Sequence, residues 1–144
     1  MHHPRTSVLF LGKHNSARSQ LAEALLRHES AGAITVASAG LEPTLLNPLV
    51  FAVLDESGVP AIGQRCKSAK EFLGRASFSE AIIVCRREDA GCPKLFLGAV
   101  QVRFWEIADP ESPTSEPLQA FRAARDALAG MIHELVAQRT PVSV

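Results

Sequence analysis

The segment Gly12-Lys13-His14-Asn15-Ser16-Ala17-Arg18-Ser19 joins the apolar run Val8-Leu9-Phe10-Leu11 to a stretch of helical periodicity, and this junction is where side chains suited to chemistry concentrate. A strand that feeds a helix leaves the first backbone N–H groups of the helix without partners, at the positive end of its dipole. Such a terminus binds oxyanions. Arg18 stands in the first turn, where a cation opposes the dipole; a guanidinium aimed at a phosphate-like ligand gives that placement a reason. Asn15, Ser16 and Ser19 are short polar groups able to hydrogen-bond the loop backbone or the anion, and Asn tolerates left-handed backbone. His14 either hydrogen-bonds the loop or faces solvent. The competing reading is an ordinary helix start with Arg18 in water.

Two other places carry reactive groups. Cys85 and Cys92 are separated by Arg86-Arg87-Glu88-Asp89-Ala90-Gly91. They can form a disulfide only if that loop folds back to bring their Cα atoms within about 7 Å. Otherwise Cys85 is a buried strand residue and Cys92 an idle loop thiol. Cys66 reads as a packing residue. No pair of cysteines has the C-x2-C spacing of a zinc site and no His adjoins one, so no metal is expected. In Asp109-Pro110 the proline fixes its own φ and restricts Asp109 to extended conformations, which can hold the carboxylate over a site; the same dipeptide is also common in turns. Trp105 reads as core, His28 and His133 as helix-surface residues, and His2-His3 as an untethered start.

Composition narrows the setting. A chain of 144 residues with 47% hydrophobic and 21% charged residues fits one globular domain, residues 1–144, with a sizeable core. Lys+Arg and Asp+Glu both number 15, so there is no basic excess of the kind that binds nucleic acid. Attraction for an anion must be local. No apolar run approaches the ~20 residues that cross a bilayer, and the first one is too short for a signal-peptide core. Three cysteines are too few for a secreted disulfide framework. The expectation is a cytoplasmic protein that needs no cofactor.

The elements that must position these groups follow from periodicity. Ser7 to Leu11, closed by Gly12, reads as a strand buried on both faces. A helix is predicted from Ser16 or Ala17 to His28, with Leu21, Ala24 and Leu25 inward and the pair Glu23 and Arg27 on a wetter face. Ile34 to Ala37 reads as a second strand. Asn47-Pro48 opens another helix through Val50, Val53 and Leu54, with Asn47 as cap and Pro48 first in the helix. Ser68 to Glu71 has capping-box form, Ala81 to Val84 is a third strand, and Val100 to Trp105 a fourth. Leu118, Phe121, Leu128, Ile132 and Leu135 lay a stripe along a last helix. Alternating strands and helices imply an α/β fold, a four-stranded parallel sheet with helices on both faces. Ligands of such sheets sit at the carboxyl ends of the strands, so the loops after Leu11, Val84 and Trp105 should cluster.

Taken in order, VLFLGKHNSARSQLAEALL from Val8, Ser38-Ala39-Gly40, Gly63-Gln64-Arg65, Val84-Cys85, Cys92-Pro93 and Asp109-Pro110 resemble the low-molecular-weight protein tyrosine phosphatases and the related thioredoxin-coupled arsenate reductases. The resemblance runs over nearly the whole chain. It is closer to the reductase branch, because the phosphatase branch does not usually carry the pair Cys85 and Cys92 and commonly has tyrosines near its acid, whereas this chain has no Tyr. The resemblance implies an oxyanion loop over Gly12 to Ser19, with Arg18 as its arginine and Asp109 as the acid that protonates a leaving oxygen. It also implies that Cys85 attacks an arsenic adduct on the nucleophile, that Cys92 resolves the product into a disulfide, and that thioredoxin reduces the pair.

In one respect the chain departs from the pattern. Both families use C-x5-R, with the cysteine directly after the first strand, and here that position is Gly12. The family reaction needs a thiolate stabilised by loop amides and the helix terminus. Glycine has none to offer, Lys13 is protonated, and Ser16 and Ser19 lack an evident base. Binding of phosphate, arsenate or sulfate needs no side chain at position 12. Three readings follow: a reductase, or less readily a phosphatase, that has lost its nucleophile; a pseudoenzyme that holds an oxyanion or a partner; and a redox-responsive protein working through Cys85 and Cys92.

Overall fold

Val8, Leu9, Phe10 and Leu11 are fully buried because β1 (Ser7–Gly12) runs through the interior of a sheet whose faces are both covered. The computed structural model describes residues 6–139, so His2-His3 lies outside the described residues. The remaining strands are β2 (Thr35–Gly40), β3 (Phe78–Val84) and β4 (Ala99–Trp105), all parallel, in the order β2-β1-β3-β4. In register Gly12 lies beside Gly40 and Leu11 beside Ile83, so the carboxyl ends of β1, β2 and β3 meet at one edge. Val84 pairs with Trp105, which brings the end of β4 to the same edge.

Three α-helices connect the strands: α1 (Arg18–Glu29), α2 (Leu49–Glu56) and α3 (Pro117–Arg139). They touch one another and pack on a single face, where Val8, Phe10, Ile82, Val84 and Trp105 meet Leu21, Leu25, Leu54, Phe121, Leu128 and Ile132. Trp105 is core, as expected, with its ring 5.7 Å from that of Phe10. The second face is covered differently from what an α-helix on each side would give. A 3-10 helix, Ala69–Glu71, carries the capping box of Ser68 and Glu71, and packs with Phe96, Cys85 and Cys92 over Leu9, Leu11, Ala81 and Ile83.

Several boundaries move by one to three residues, where the hydrogen-bond ladder continues past the apolar run. β3 begins at Phe78 and β2 ends at Gly40. Pro48 already has helical dihedrals at the start of α2, and the Asn47 side chain accepts a hydrogen bond from Leu49 N–H at 2.9 Å, as a capping residue does. The larger departure is α1, in which every residue from Ser19 to Leu26 is buried. Glu23 and Arg27 do pair, at 2.9 Å, yet Glu23 is buried instead of lying on a wet face. Its partners, described below, explain how that burial is tolerated.

The α2–α3 contact is closed at the surface by Glu56, which accepts hydrogen bonds from Arg122 and Arg125. These bonds hold the Glu56 carboxyl down to about 2. A carboxylate with a depressed pKa stabilises the fold fully above its unfolded value of about 4.3, and that contribution disappears as pH falls towards the folded value. Glu56→Gln is therefore expected to lower the urea midpoint at pH 7, and the gap between variant and parent to close between pH 4.5 and about 2. A gap that does not close across that range would show that the ionised Glu56 carboxylate adds no stability.

Candidate oxyanion site

The loop from Gly12 to Ala17 gets its shape from its carbonyl groups. The carbonyls of Gly12, Lys13, His14 and Ser16 accept hydrogen bonds from the N–H groups of Leu41, Glu42, Thr44 and Asn47, at 3.2, 2.7, 3.2 and 3.0 Å. The Asn15 carbonyl accepts from Gln20 Nε2 at 3.0 Å and from the Cys66 thiol at 3.1 Å. In a planar trans peptide the N–H points opposite to the C=O. With the carbonyls of residues 12 to 16 turned towards neighbouring segments, the N–H groups of Lys13, His14, Asn15, Ser16 and Ala17 turn the other way. They face a cavity lined by Gly12 through Ser19 together with Val84, Asp109 and Glu111. No side chain caps the first turn of α1, which opens onto the same cavity.

Asn15 locks this turn. It is buried with φ of 55°, the left-handed conformation that Asn tolerates. Its side-chain amide donates to Ser19 Oγ at 2.8 Å and Ser38 Oγ at 2.9 Å, while its Oδ1 accepts from Gln20 Nε2 and from Lys67 N–H. Behind it, Glu23 accepts from Ser38 Oγ at 2.6 Å, from Arg27 at 2.9 Å and from Lys67 Nζ at 3.3 Å. A buried charge is tolerable when paired and hydrogen-bonded, and Glu23 has both kinds of partner. Gly40 completes the support. A Cβ there would come within 2.7 Å of the Lys13 carbonyl and 2.8 Å of Asn15 N, so only glycine allows β2 to approach the loop this closely. His14 donates from Nδ1 to the Glu42 carbonyl at 2.9 Å, which ties it to the loop's surroundings.

The other expected site residues arrive from the neighbouring strand ends. Arg18 lines the cavity, and its Nη1 donates to Asp89 at 3.0 Å and to the Ile107 carbonyl at 2.7 Å, while Nη2 lies 4.0 Å from Asp109. Part of the guanidinium is thus held by protein groups. Burial raises the Asp89 carboxyl, but hydrogen bonds from Arg18 and from Arg86 N–H, with the charges of both arginines, outweigh it and keep the group below the usual carboxylate range. Asp109 Oδ1 accepts from Glu111 N–H at 2.9 Å, which turns the chain immediately after Pro110.

Cys85 and Cys92 form a disulfide with Cα atoms 6.1 Å apart. Neither sulfur-bearing residue lines the cavity; both are buried in the second core. Their loop reaches the site instead, through Asp89 on Arg18 and through Gly91, against which the Lys13 side chain lies. Cys66 is a free thiol. Burial raises its pKa and the charge of Glu111 adds to that, against the opposing charge of Lys67 and a backbone contact at Thr44, so the group is a protonated donor to Asn15. Position 12 itself is roomy. Gly12 does not need a positive φ, and a Cβ there would meet only Ser19 Oγ, at 3.7 Å, an ordinary contact. Among the described residues no group of three or more His, Cys, Asp or Glu is placed to hold a metal, and no helix is long and apolar enough to cross a membrane.

The model of the low molecular weight phosphotyrosine protein phosphatase family matches residues 7–140. The chain belongs to this family. Among its relatives is the glutaredoxin arsenate reductase of Synechocystis sp., 29% identical over 135 residues, which cover 91% of this chain and 96% of that protein. A solved arsenate reductase in the phosphate binding state superposes with a TM-score of 0.79 at 27% identity, covering 94% of this chain and 99% of the other. The thioredoxin-dependent arsenate reductase of Corynebacterium glutamicum superposes with a TM-score of 0.70 at 28% identity, over 97% of this chain and 66% of that one.

Within this family fold, the sequence marked the loop, Arg18, Asp109 and the cysteines, and missed the groups that hold the loop in shape. Residues 41–46, Gln20 and Lys67 were not singled out, Asn47 was read only as a helix cap, and Glu23 was placed on a wetter face. Glu111 was missed as well, although the rule that places ligands at strand ends covers the residue two beyond Asp109. Because Gly40 has no room for a side chain, Gly40→Ala is expected to displace the loop and destabilise the domain by about 1–3 kcal/mol, the usual cost of overpacking. Thermal denaturation with and without phosphate tests this: the variant should melt lower and gain less from the anion. Equal protection by phosphate in both would show that the close approach is not needed.

Proposed function

We propose that this member of the family is an arsenate reductase-like protein that holds a phosphate- or arsenate-type oxyanion in the Gly12 to Ser19 loop, and that it is catalytically impaired because position 12 carries no nucleophile. The observation that carries this reading is the outward turn of the loop carbonyls, which by peptide planarity leaves the N–H groups on the side of a cavity that Arg18 and Asp109 also line. Fixed N–H dipoles bind oxyanions without a net protein charge, in keeping with a formal charge of zero. Arg18 supplies the positive charge and Asp109 the proton for a departing oxygen. The disulfide between Cys85 and Cys92 supports the reductase branch over the phosphatase branch. A reducing cytoplasm fits a pair of this kind, since disulfides there are transient and redox-active, and the reductant is a small protein dithiol such as thioredoxin.

Loss of a catalytic nucleophile costs on the order of 10⁶ in kcat, or ~8 kcal/mol of barrier, and no neighbour here is placed to restore it. Position 12 has space for a thiol. Gly12→Cys is accordingly expected to confer thioredoxin-coupled arsenate reduction, while the parent and Gly12→Ser show none above background. Turnover by the parent would overturn the role given to position 12, and an inert Gly12→Cys protein that still binds phosphate would favour a dedicated binding protein.

The disulfide also favours a second reading, in which redox chemistry alone is retained. Thiol titration of the denatured protein should find three thiols after reduction and one, Cys66, after mild oxidation. Three thiols after both treatments would remove this reading.

A further inference from the structure

Glu111 brings a carboxylate to the mouth of an anion loop, where an oxyanion-binding protein has least use for one. Its Oε1 accepts from Ser16 Oγ at 2.5 Å and its Oε2 from Asn47 Nδ2 at 3.1 Å, so the group is pinned to the loop and to the segment behind it. Its own N–H donates to Asp109. The residue is otherwise exposed and lines the cavity. Around that cavity stand the cations Lys13 and Arg18 and the carboxylates Asp109 and Glu111, with Asp89 already engaged on Arg18. His14 is held on the Glu42 carbonyl, while the protonated thiol of Cys66, which also feels the charge of Lys67, lies within the electrostatic reach of Glu111.

An ionised carboxylate only accepts hydrogen bonds. A fully deprotonated dianion placed against the loop amides would have no proton to offer Glu111, and its second charge would be repelled by that carboxylate. An oxyacid that keeps an O–H group puts its charged oxygens on the amides and on Arg18 and donates its hydroxyl to Glu111. We propose that Glu111 makes this site selective for protonated oxyacids of low charge, such as dihydrogen phosphate or dihydrogen arsenate, over dianions such as sulfate or a phosphate monoester at neutral pH. This rests on the reading of the loop as an oxyanion site and narrows its substrate class to free oxyacids with an ionisable hydroxyl. It also gives a physical reason for preferring arsenate to phosphotyrosine, since a phosphate monoester loses its last proton near pH 6.

Calorimetric titration with inorganic phosphate and with sulfate, at pH 6 and pH 8, on the full chain and on Glu111→Gln, tests the proposal. Phosphate changes charge over this range and sulfate does not, so the sulfate series reports any titration of Lys13, His14 or other protein groups. The parent should bind phosphate at pH 6, lose about tenfold in affinity at pH 8, and bind sulfate more weakly than phosphate at pH 6. Glu111→Gln should gain about tenfold for sulfate, equivalent to ~1.4 kcal/mol, and flatten the phosphate dependence. Glu111→Ala repeats the charge removal without an amide to contact Ser16. If both anions bind and neither variant alters the sulfate affinity or the phosphate slope, Glu111 does not set specificity and the loop reading stands. If neither anion binds the parent or the variants at either pH, the loop reading fails and the selectivity falls with it.

Discussion

The planarity of the peptide group governs this site. Five consecutive carbonyls, from Gly12 to Ser16, are drawn outward by Leu41, Glu42, Thr44, Asn47, Gln20 and Cys66, and each one that turns out forces the following N–H inward. The face that the loop turns to the cavity is thus set by groups behind the loop and not by side chains in it. Most of the buried polar side chains among the described residues serve this arrangement. Asn15 closes the turn, Ser38 and Lys67 hold Asn15, and Glu23 is buried in order to hold Ser38 and Lys67. A buried network of this kind is stable only when every member is satisfied, so loosening one contact should be felt throughout.

The sheet supplies the frame for that constraint. β1 is buried on both faces, so its end is fixed in space, and the strands on either side of it end at the same edge. β2 then delivers Gly40 against the loop, while β3 delivers the segment from Cys85 to Cys92. That segment leans on the anion loop at two points, Asp89 on Arg18 and Gly91 on Lys13, although its sulfurs lie in the second core. The oxidation state of the cysteines is therefore joined to the anion loop through its two cations. A local change of backbone between Cys85 and Cys92 would alter what holds Arg18.

How much of this was legible in the sequence depends on the range of the interaction. Strands and helices followed from periodicity, and the loop, Arg18 and Asp109 followed from the rule that ligands sit at strand ends. Glu23 was misplaced because an i,i+4 partner suggests a solvated pair; nothing local shows that Ser38 and Lys67, which are 15 and 44 residues away, bury it. The segment 41–47 carries no periodic pattern at all, and its function lies in backbone N–H groups that every sequence possesses. The cover of the second sheet face was hard to foresee for the same reason, since a 3-10 turn and an irregular disulfide loop leave a weaker pattern than an amphipathic helix. The side chains of the candidate site were visible, and the backbone geometry around them was not.

Gly12 and Gly40 face each other in the register of β1 and β2, and the contrast between them separates binding from catalysis. Gly40 is demanded by the fold, because backbone atoms of the loop fill the place of a side chain. Gly12 is demanded by nothing in the fold: its dihedrals are ordinary and the space beside it is open. A side chain, a thiol included, could stand there without strain, so the glycine is not a structural adjustment. The groups that would bind an oxyanion belong to the backbone, Arg18 and the acid loop, and none of them is linked through the side chain at position 12. If the loop holds an oxyanion as proposed, a change at position 12 removes none of the groups that hold it.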